Sequence, residues 1–349
     1  YFYPFFIFFF LTINTFSQDK SDIIETKIDS IIQLLTLKEK IGMVHAQSKF
    51  STPGVPRLGI PELWMSDGPH GVREEISWDN WRPAGWTNDS ITAFPALTCL
   101  ASTFNPQLSL QYGKSIGEEA RYRKKDVLLG PGVNIYRTPL NGRNFEYMGE
   151  DPFLASQLVV PYIKGVQENG VAACVKHYVL NNQELWRGHI NVEVSDRALH
   201  EIYLPAFKAA VQKGALTLMI NSGVVNGIPG HANYQLLTQT LKKDWGFKGF
   251  VVSDWEDFIM LHTVHRTAPS IAEAAIQAFN AGVDMSMVPS NPQYKTYCQD
   301  MVKAVKEGKI SMDRLNDAVR RILYVKNQLG LFDNPLPDLS KYPLFGSQT

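Results

Sequence analysis

The stretch "GFVVSDWEDF" (249–258) sets three acids, Asp254, Glu256 and Asp257, directly behind an apolar run. A strand has no use for three carboxylates, so at least one of them is expected to do chemistry. Asp254 is the first past the run, where a rigid strand end would hold it out. A carboxylate held that way is what attack on a sugar's anomeric carbon needs. Along an extended chain Asp254 and Glu256 share one side, while Asp257 faces the other and can cap a short helix begun by "FIML". Trp255 offers an aromatic face to the apolar side of a sugar ring.

Three other segments carry reactive side chains. "SDGPHGVR" (66–73) places Asp67 and His70 in a turn-rich loop, where Asp67 can simply bond its own backbone. "GRNFEYMGEDP" (142–152) supplies Arg143, Glu146, Glu150 and Asp151. Asp151 before Pro152 reads as a helix start, so Asp151 is a cap. The Arg143 guanidinium bridges two acceptors in a fixed geometry and suits either a buried carboxylate or vicinal sugar hydroxyls. "VKHYVLNNQE" (175–184) sets Lys176 beside His177 just after an apolar run. An unpaired charge there would be costly, so both need partners or solvent. A structural histidine and a Schiff-base lysine are readings of that pair; the lysine would want an apolar pocket rather than donors.

The elements that must position these groups are visible as an alternation. Apolar runs at Glu62–Met65, Asp126–Leu129, Val171–Val175, Leu216–Ile220, Phe250–Val252 and Val283–Met287 are separated by amphipathic segments. The latter include Pro106–Arg123, Phe153–Glu168, Arg197–Lys213, Tyr234–Lys243 and Ile271–Asn280. Continuous apolar runs between helices suit strands covered on both faces, hence a parallel α/β fold. Polar residues recur just beyond several separate runs (Asp67, Lys176 and His177, Asn221, Asp254), and in a barrel such ends converge on one face. A doubly wound sheet would want a glycine-rich loop, and "GPGVN" (130–134) is a poor one. The expectation is a (β/α)8 TIM-like barrel, irregular in places. Near the end, Leu315, Val319, Ile322 and Val325 recur at helical spacing behind a Ser311 cap, and Gly330 stops the helix.

Composition excludes more than it selects. With 349 residues, 44% hydrophobic and 34 cations against 34 anions, the chain has core enough and no field for nucleic acid. Cys99, Cys174 and Cys298 are odd in number and lack a CxxC, which argues against a disulfide framework or a structural zinc site. Residues 1–17, "YFYPFFIFFFLTINTFS", read as the remnant of a signal peptide, implying export to the periplasm or cell exterior with no membrane insertion after its removal. A sequon at Asn88 matters only in a eukaryotic secretory pathway. Residues 18–333 then form the domain, and the proline-rich 334–349 reads as a linker towards a further domain.

With "SDGPHGVR", "GPGVNIYRTPLNGRNFEYMGEDP", "VKHYVLNNQE", "SDRALHEIYLPAF", "NGIPGHANYQLLTQTLKKDWGFKGFVVSDW" and "RILYVKNQLGLF" in this order, the chain resembles the N-terminal barrel domain of glycoside hydrolase family 3. The resemblance implies a retaining β-glycosidase, most often a β-glucosidase, needing no catalytic cofactor and acting on β-glucosides or oligosaccharides. Asp254 matches the family's nucleophile. Asp67, Arg143, Lys176 and His177 match residues that bind the sugar's hydroxyls, and Met219 and Trp255 match positions lining that subsite. Where the family often carries "SYN", this chain reads "NSG" (221–223), so Ser222 replaces a tyrosine. The two-domain branch takes its general acid/base glutamate from a following sandwich domain, the expected missing partner here. The single-domain branch uses a histidine in a KHFPGHG-type loop, which "KHYVLNNQELWRGHI" does not match, and His189 is given no role. The chain alone is then expected to turn over natural glycosides poorly. Two alternatives stand beside this reading: a sugar-binding barrel whose carboxylates only hold ligand, and a metal-dependent hydrolase on His70, His177 and Asp254. No HxH or HExxH pair supports the second.

Overall fold

A computed structural model describes residues 22–85, 91–288 and 293–342. The expected signal segment and the Asn88 sequon lie outside the described residues, as does the linker beyond residue 342.

The main sheet runs β1 (Ser51–Thr52), β2 (Leu63–Asp67), β3 (Val127–Leu129), β4 (Ala172–Tyr178), β6 (Thr217–Ile220) and β9 (Phe250–Val252). From β2 to β9 all pairings are parallel, while β1 runs antiparallel to β2. Single parallel bridges from Val252 to Met285 and from Ser286 to His45 continue the sheet, and Met65 N–H donates to Phe50 O beside β1. The sheet therefore curls into an irregular α/β barrel. The expected run Val283–Met287 takes part through bridges rather than as a full strand. The antiparallel opening was not foreseen, because a two-residue strand leaves no periodicity to read. A three-stranded ribbon of β5 (Asn191–Val192), β7 (Val224–Val225) and β8 (Ile228–Pro229) lies apart from the barrel sheet.

The barrel strands are buried on both faces: every residue of β3, β4, β6 and β9 is buried. Helices supply the outer layer. The helix Pro106–Tyr122 starts where Asn105 accepts from Gln107 N–H, and Pro152–Gln167 starts where Asp151 accepts from Phe153 N–H. The two helices touch backbone to backbone at Gly113 and Gly165. A Cβ at Gly113 would lie 2.2 Å from Tyr162 O, and one at Gly165 2.5 Å from Leu110 O. The C-terminal helix Met312–Gln328 is capped by Ser311 and buries Leu315, Val319, Ile322 and Val325. Gly330 follows at φ 69.

Two expected helices differ: Tyr234–Lys243 forms a wider π segment, Gln235–Asp244, and the other is broken into three pieces. The segment 197–213 is a turn of α-helix (Asp196–Ala198), a wider π segment (Leu199–Tyr203) and a second α-helix (Pro205–Gln212). Pro205 has no N–H to donate to the preceding turn, and Leu204 N–H reaches back five residues to Leu199 O instead. Among the described residues no helix is long and apolar enough to cross a membrane.

Candidate active site

The strand ends converge on a cavity of about 290 Å³. Its lining includes Asp67, Arg143, Lys176, His177, Met219, Asp254 and Trp255, joined by Phe50, Arg73, Trp81, Leu129, Arg187 and Glu256. All seven residues singled out from sequence thus share one pocket. His70 is absent from it and packs instead on Phe145, with ring centroids 5.5 Å apart. His189 packs on Trp186 and does not line the cavity either. Among the described residues no group of His, Cys, Asp or Glu is placed to hold a metal ion.

One part of the pocket is a paired ionic network. Lys176 Nζ donates to Asp67 Oδ1 at 2.9 Å and lies 3.9 Å from Glu146 Oε2. Arg143 grips Glu146 with two bonds, Nε to Oε1 at 2.7 Å and Nη2 to Oε2 at 2.9 Å. The buried carboxylate that Arg143 suits is therefore Glu146, three residues on. Burial lowers the Lys176 pKa, but Asp67 and Glu146 outweigh it and leave the ammonium held above its ordinary range. That excludes the neutral amine a Schiff-base lysine needs. Burial likewise raises Asp67, and Lys176 outweighs it, so the carboxylate titrates below its usual value. Two-fifths of the Asp67 side chain remains exposed, its oxygens open to further donors.

His177 sits where β4 loses register with β6, between Val175 and Tyr178. Such an irregularity re-aims side chains that a regular ladder would point elsewhere. Its backbone is clamped by Asn134, whose amide donates to His177 O and accepts from His177 N–H, both at 3.0 Å. Tyr147 Oη donates to Asn181 O at 2.8 Å and lies 3.2 Å from His177 Nδ1. Nδ1 is then the protonated nitrogen, and Nε2 is left to accept from Arg143 Nη2 at 3.3 Å. Burial, followed by Arg143, Lys176 and Arg187, pushes the His177 pKa well below its ordinary value, so the ring is neutral.

Asp254 is buried just past β9, its Oδ2 3.8 Å from His177 Nε2. Both of its oxygens are fixed: Oδ1 accepts from Trp255 N–H at 2.7 Å, and Oδ2 from the Ser222 hydroxyl at 3.2 Å. Beyond Asp254 the parity expected for a strand fails. The strand stops at Val252, and Glu256 takes a left-handed conformation (φ 63) that turns the chain into a 3-10 turn, Asp257–Ile259. Glu256 lines the pocket and pairs with Lys49 at 3.1 Å, whereas Asp257 is buried and caps nothing. Trp255 is held by Nε1 donating to Lys49 O at 2.8 Å, with Phe50 at 5.1 Å and Trp81 against Phe50 at 5.9 Å.

Sequence reasoning left several of these groups unassigned. Glu146 stood in a motif already quoted, and its spacing from Arg143 was the available signal. Arg73 closes the quoted "SDGPHGVR" and Arg187 stands in "KHYVLNNQELWRGHI", whereas Phe50 and Trp81 come from loops with no local pattern, and only folding brings them to the pocket.

The sequence profile described as "Glycosyl hydrolase family 3 N terminal domain" matches residues 11–325. Beta-glucosidase BoGH3A of Bacteroides ovatus is 56% identical over 312 residues, covering 87% of this chain and 40% of that protein. Thermostable beta-glucosidase B of Acetivibrio thermocellus is 40% identical over 300 residues, covering 85% of this chain and 37% of that protein. The structure of beta-glucosidase 3B from Thermotoga neapolitana in complex with glucose superposes with a TM-score of 0.78 at 36% identity, over 90% of this chain and 45% of that one. This chain spans less than half the length of these relatives. By sequence and by fold, the chain belongs to glycosyl hydrolase family 3, as its N-terminal domain.

Proposed function

We propose that this domain is the glycosyl-binding part of a retaining β-glucosidase and that Asp254 is its nucleophile. The observation carrying this reading is a carboxylate fixed at both oxygens, sharing a cavity the size of one sugar ring with a paired ionic network that still has open valence. Sugar hydroxyls both donate and accept, so Asp67, Lys176, Arg143 and His177 are proposed to hold them while Trp255 packs on the ring. An Asp254 oxygen then bonds to the anomeric carbon as the bond from that carbon to the departing oxygen breaks. The departing oxygen takes up a proton, and water later releases the sugar with retained configuration.

Retention uses a second carboxyl roughly 5 Å from the first as acid and base. We place that group in the part of the relatives that this chain does not span, on a C-terminal domain. General acid catalysis is worth about 10²–10⁴-fold, so this chain by itself is proposed to be slow on natural glycosides and faster on aryl glucosides that leave unprotonated. Export, proposed from residues 1–17, would place the reaction outside the cytoplasm.

The test is intact-mass analysis after incubation with 2,4-dinitrophenyl 2-deoxy-2-fluoro-β-glucoside. A single fluoroglucosyl adduct that vanishes in Asp254→Asn is expected. Glucose binding with no adduct would sink the nucleophile assignment and leave a sugar-binding barrel. Normal turnover of cellobiose by this chain would instead sink the assignment of the acid to another domain.

A further inference from the structure

At the mouth of the pocket, a buried lysine that the reaction as proposed does not use holds three side chains in place. Lys49 lies two residues before β1. Its backbone O accepts from Trp255 Nε1 at 2.8 Å, and its Nζ donates to Glu256 Oε1 at 3.1 Å. The same ammonium lies 4.8 Å from the centre of the Trp81 ring. Its backbone N–H donates to Trp78 O at 2.9 Å. That last bond pins a short hairpin, residues 75–84, which is closed by Ser77 N–H on Arg82 O and Ala84 N–H on Glu75 O. Trp81 stands near the tip of that hairpin.

Two features separate this cluster from the plain neutralisation of a buried lysine. The first is Glu256. At φ 63 it occupies a backbone conformation that suits glycine, and its N–H is tied to Met287 O at 2.8 Å. A strained position therefore carries a carboxylate, and that carboxylate lines the cavity with 46% of its side chain exposed. A counter-ion needed by Lys49 alone would not have to face a pocket. The second is Trp81, which lines the same cavity and is 47% exposed. Phe50 steadies it from a nearly perpendicular ring 5.9 Å away, and the Arg73 guanidinium lies 5.2 Å from its ring centre. Those contacts hold a large apolar side chain at the mouth.

Burial is graded across the cavity. Lys176, His177 and Asp254 are buried and Arg143 nearly so, whereas Glu256 and Trp81 are half open. A sugar held on the inner groups can extend only through the mouth, so whatever departs from its anomeric carbon meets Glu256 and Trp81. A carboxylate accepts from hydroxyls, and an indole packs on the C–H side of a sugar ring. A purely apolar leaving group would desolvate the Glu256 charge without repaying it. Resting on the reading of the inner pocket as the glucosyl site, we propose that Lys49 is a positioning residue. It builds from Glu256 and Trp81 a wall for a second sugar ring, on the leaving side of an oligosaccharide. One ammonium fixes both groups, one from a surface hairpin and one from a strained turn.

Titration calorimetry of this chain with glucose, thiocellobiose and phenyl 1-thio-β-glucoside is the test, because the sulfur-linked ligands resist hydrolysis. Thiocellobiose should bind about 10–100-fold tighter than glucose, the scale of one aromatic contact plus one charge-assisted hydrogen bond. Lys49→Met should cut that ratio by about tenfold, and Trp81→Ala by about 3–10-fold. Lys49→Arg keeps a cation beside Glu256 and Trp81 and should recover most of the ratio. A merely structural lysine would move the thermal midpoint and leave the ratio alone. Trp81 sits on an exposed hairpin, so Trp81→Ala decides the matter if Lys49→Met does not fold. An unchanged ratio in Trp81→Ala would overturn the proposal. So would a chain that binds glucose but holds thiocellobiose no tighter, with the glucosyl site left standing. A larger gain for the phenyl thioglucoside than for thiocellobiose would overturn the sugar as the occupant. A chain that binds none of the three would overturn the glucosyl reading itself, and the wall with it.

Discussion

Two buried lysine–aspartate pairs sit in this barrel and have opposite characters. In the pocket, Lys176 lies 2.9 Å from Asp67 with Glu146 as a second anion and Arg143 as the other cation. Behind β9, Lys242 lies 2.7 Å from Asp284, which Arg314 also reaches at 2.8 Å. Burial lowers both lysines. Around Lys176 the two carboxylates win, whereas around Lys242 the attraction of Asp284 is countered by Arg314 and Arg321, and its pKa drops to about 7. Burial raises Asp284 as well, but Lys242, Arg314 and Arg321 hold it at about 2.

The difference lies in what each aspartate has left to offer. Asp284 is sealed, with its oxygens occupied by Lys242, Arg314 and the Val251 N–H, so it ties the helix Met312–Gln328 to β9. Asp67 keeps two-fifths of its side chain open to a cavity. Burial and charge are common to both clusters; open valence facing a cavity belongs to one.

The largest expected effect breaks the sealed cluster. Asp284→Ala strands buried cations and should cost about 3–5 kcal/mol in urea unfolding, while fluoroglucosyl labelling of the folded fraction keeps its rate. An unchanged midpoint would mean the cluster is not structural. The converse change, Asp67→Ala, should lower kcat/KM for an aryl glucoside by about 10–100-fold, the scale of one or two charge-assisted hydrogen bonds. It should move the thermal midpoint far less than Asp284→Ala does; a reversed ranking would erase the distinction between the clusters.

A pH experiment sharpens the comparison further. The folded pKa of Lys242 is depressed, so its contribution to stability is fully present above its unfolded value of 10.5 and is lost as pH falls through about 7. The stability of wild type relative to Lys242→Met should therefore rise by on the order of 1–2 kcal/mol as pH rises from neutrality. Lys176 carries the opposite shift, so Lys176→Met should show no such rise in that window. Smallest of all, Glu256→Gln, at the rim and partly exposed, should change binding by about 0.2–1 kcal/mol in titration calorimetry.

The sequence made the fold and most of the pocket legible because both rest on local pattern. Continuous apolar runs mark strands buried on both faces, and the first polar residues past them must emerge at one end of the barrel. Asp67, Lys176, His177 and Asp254 were readable on those grounds. Asp257 was misread because parity holds only while the chain stays extended, and a single left-handed residue at Glu256 ended that.

What the sequence determined by itself was the family, the alternation that builds the barrel, and which side chains stand at its mouth. Only the tertiary structure decided their states. Whether an acid keeps its proton, or a lysine its charge, depends on partners distant in the chain: Asp67 on Lys176, and Asp284 on Lys242 and Arg314. Those balances are Coulombic and steep in distance, and no linear pattern of residues carries distance.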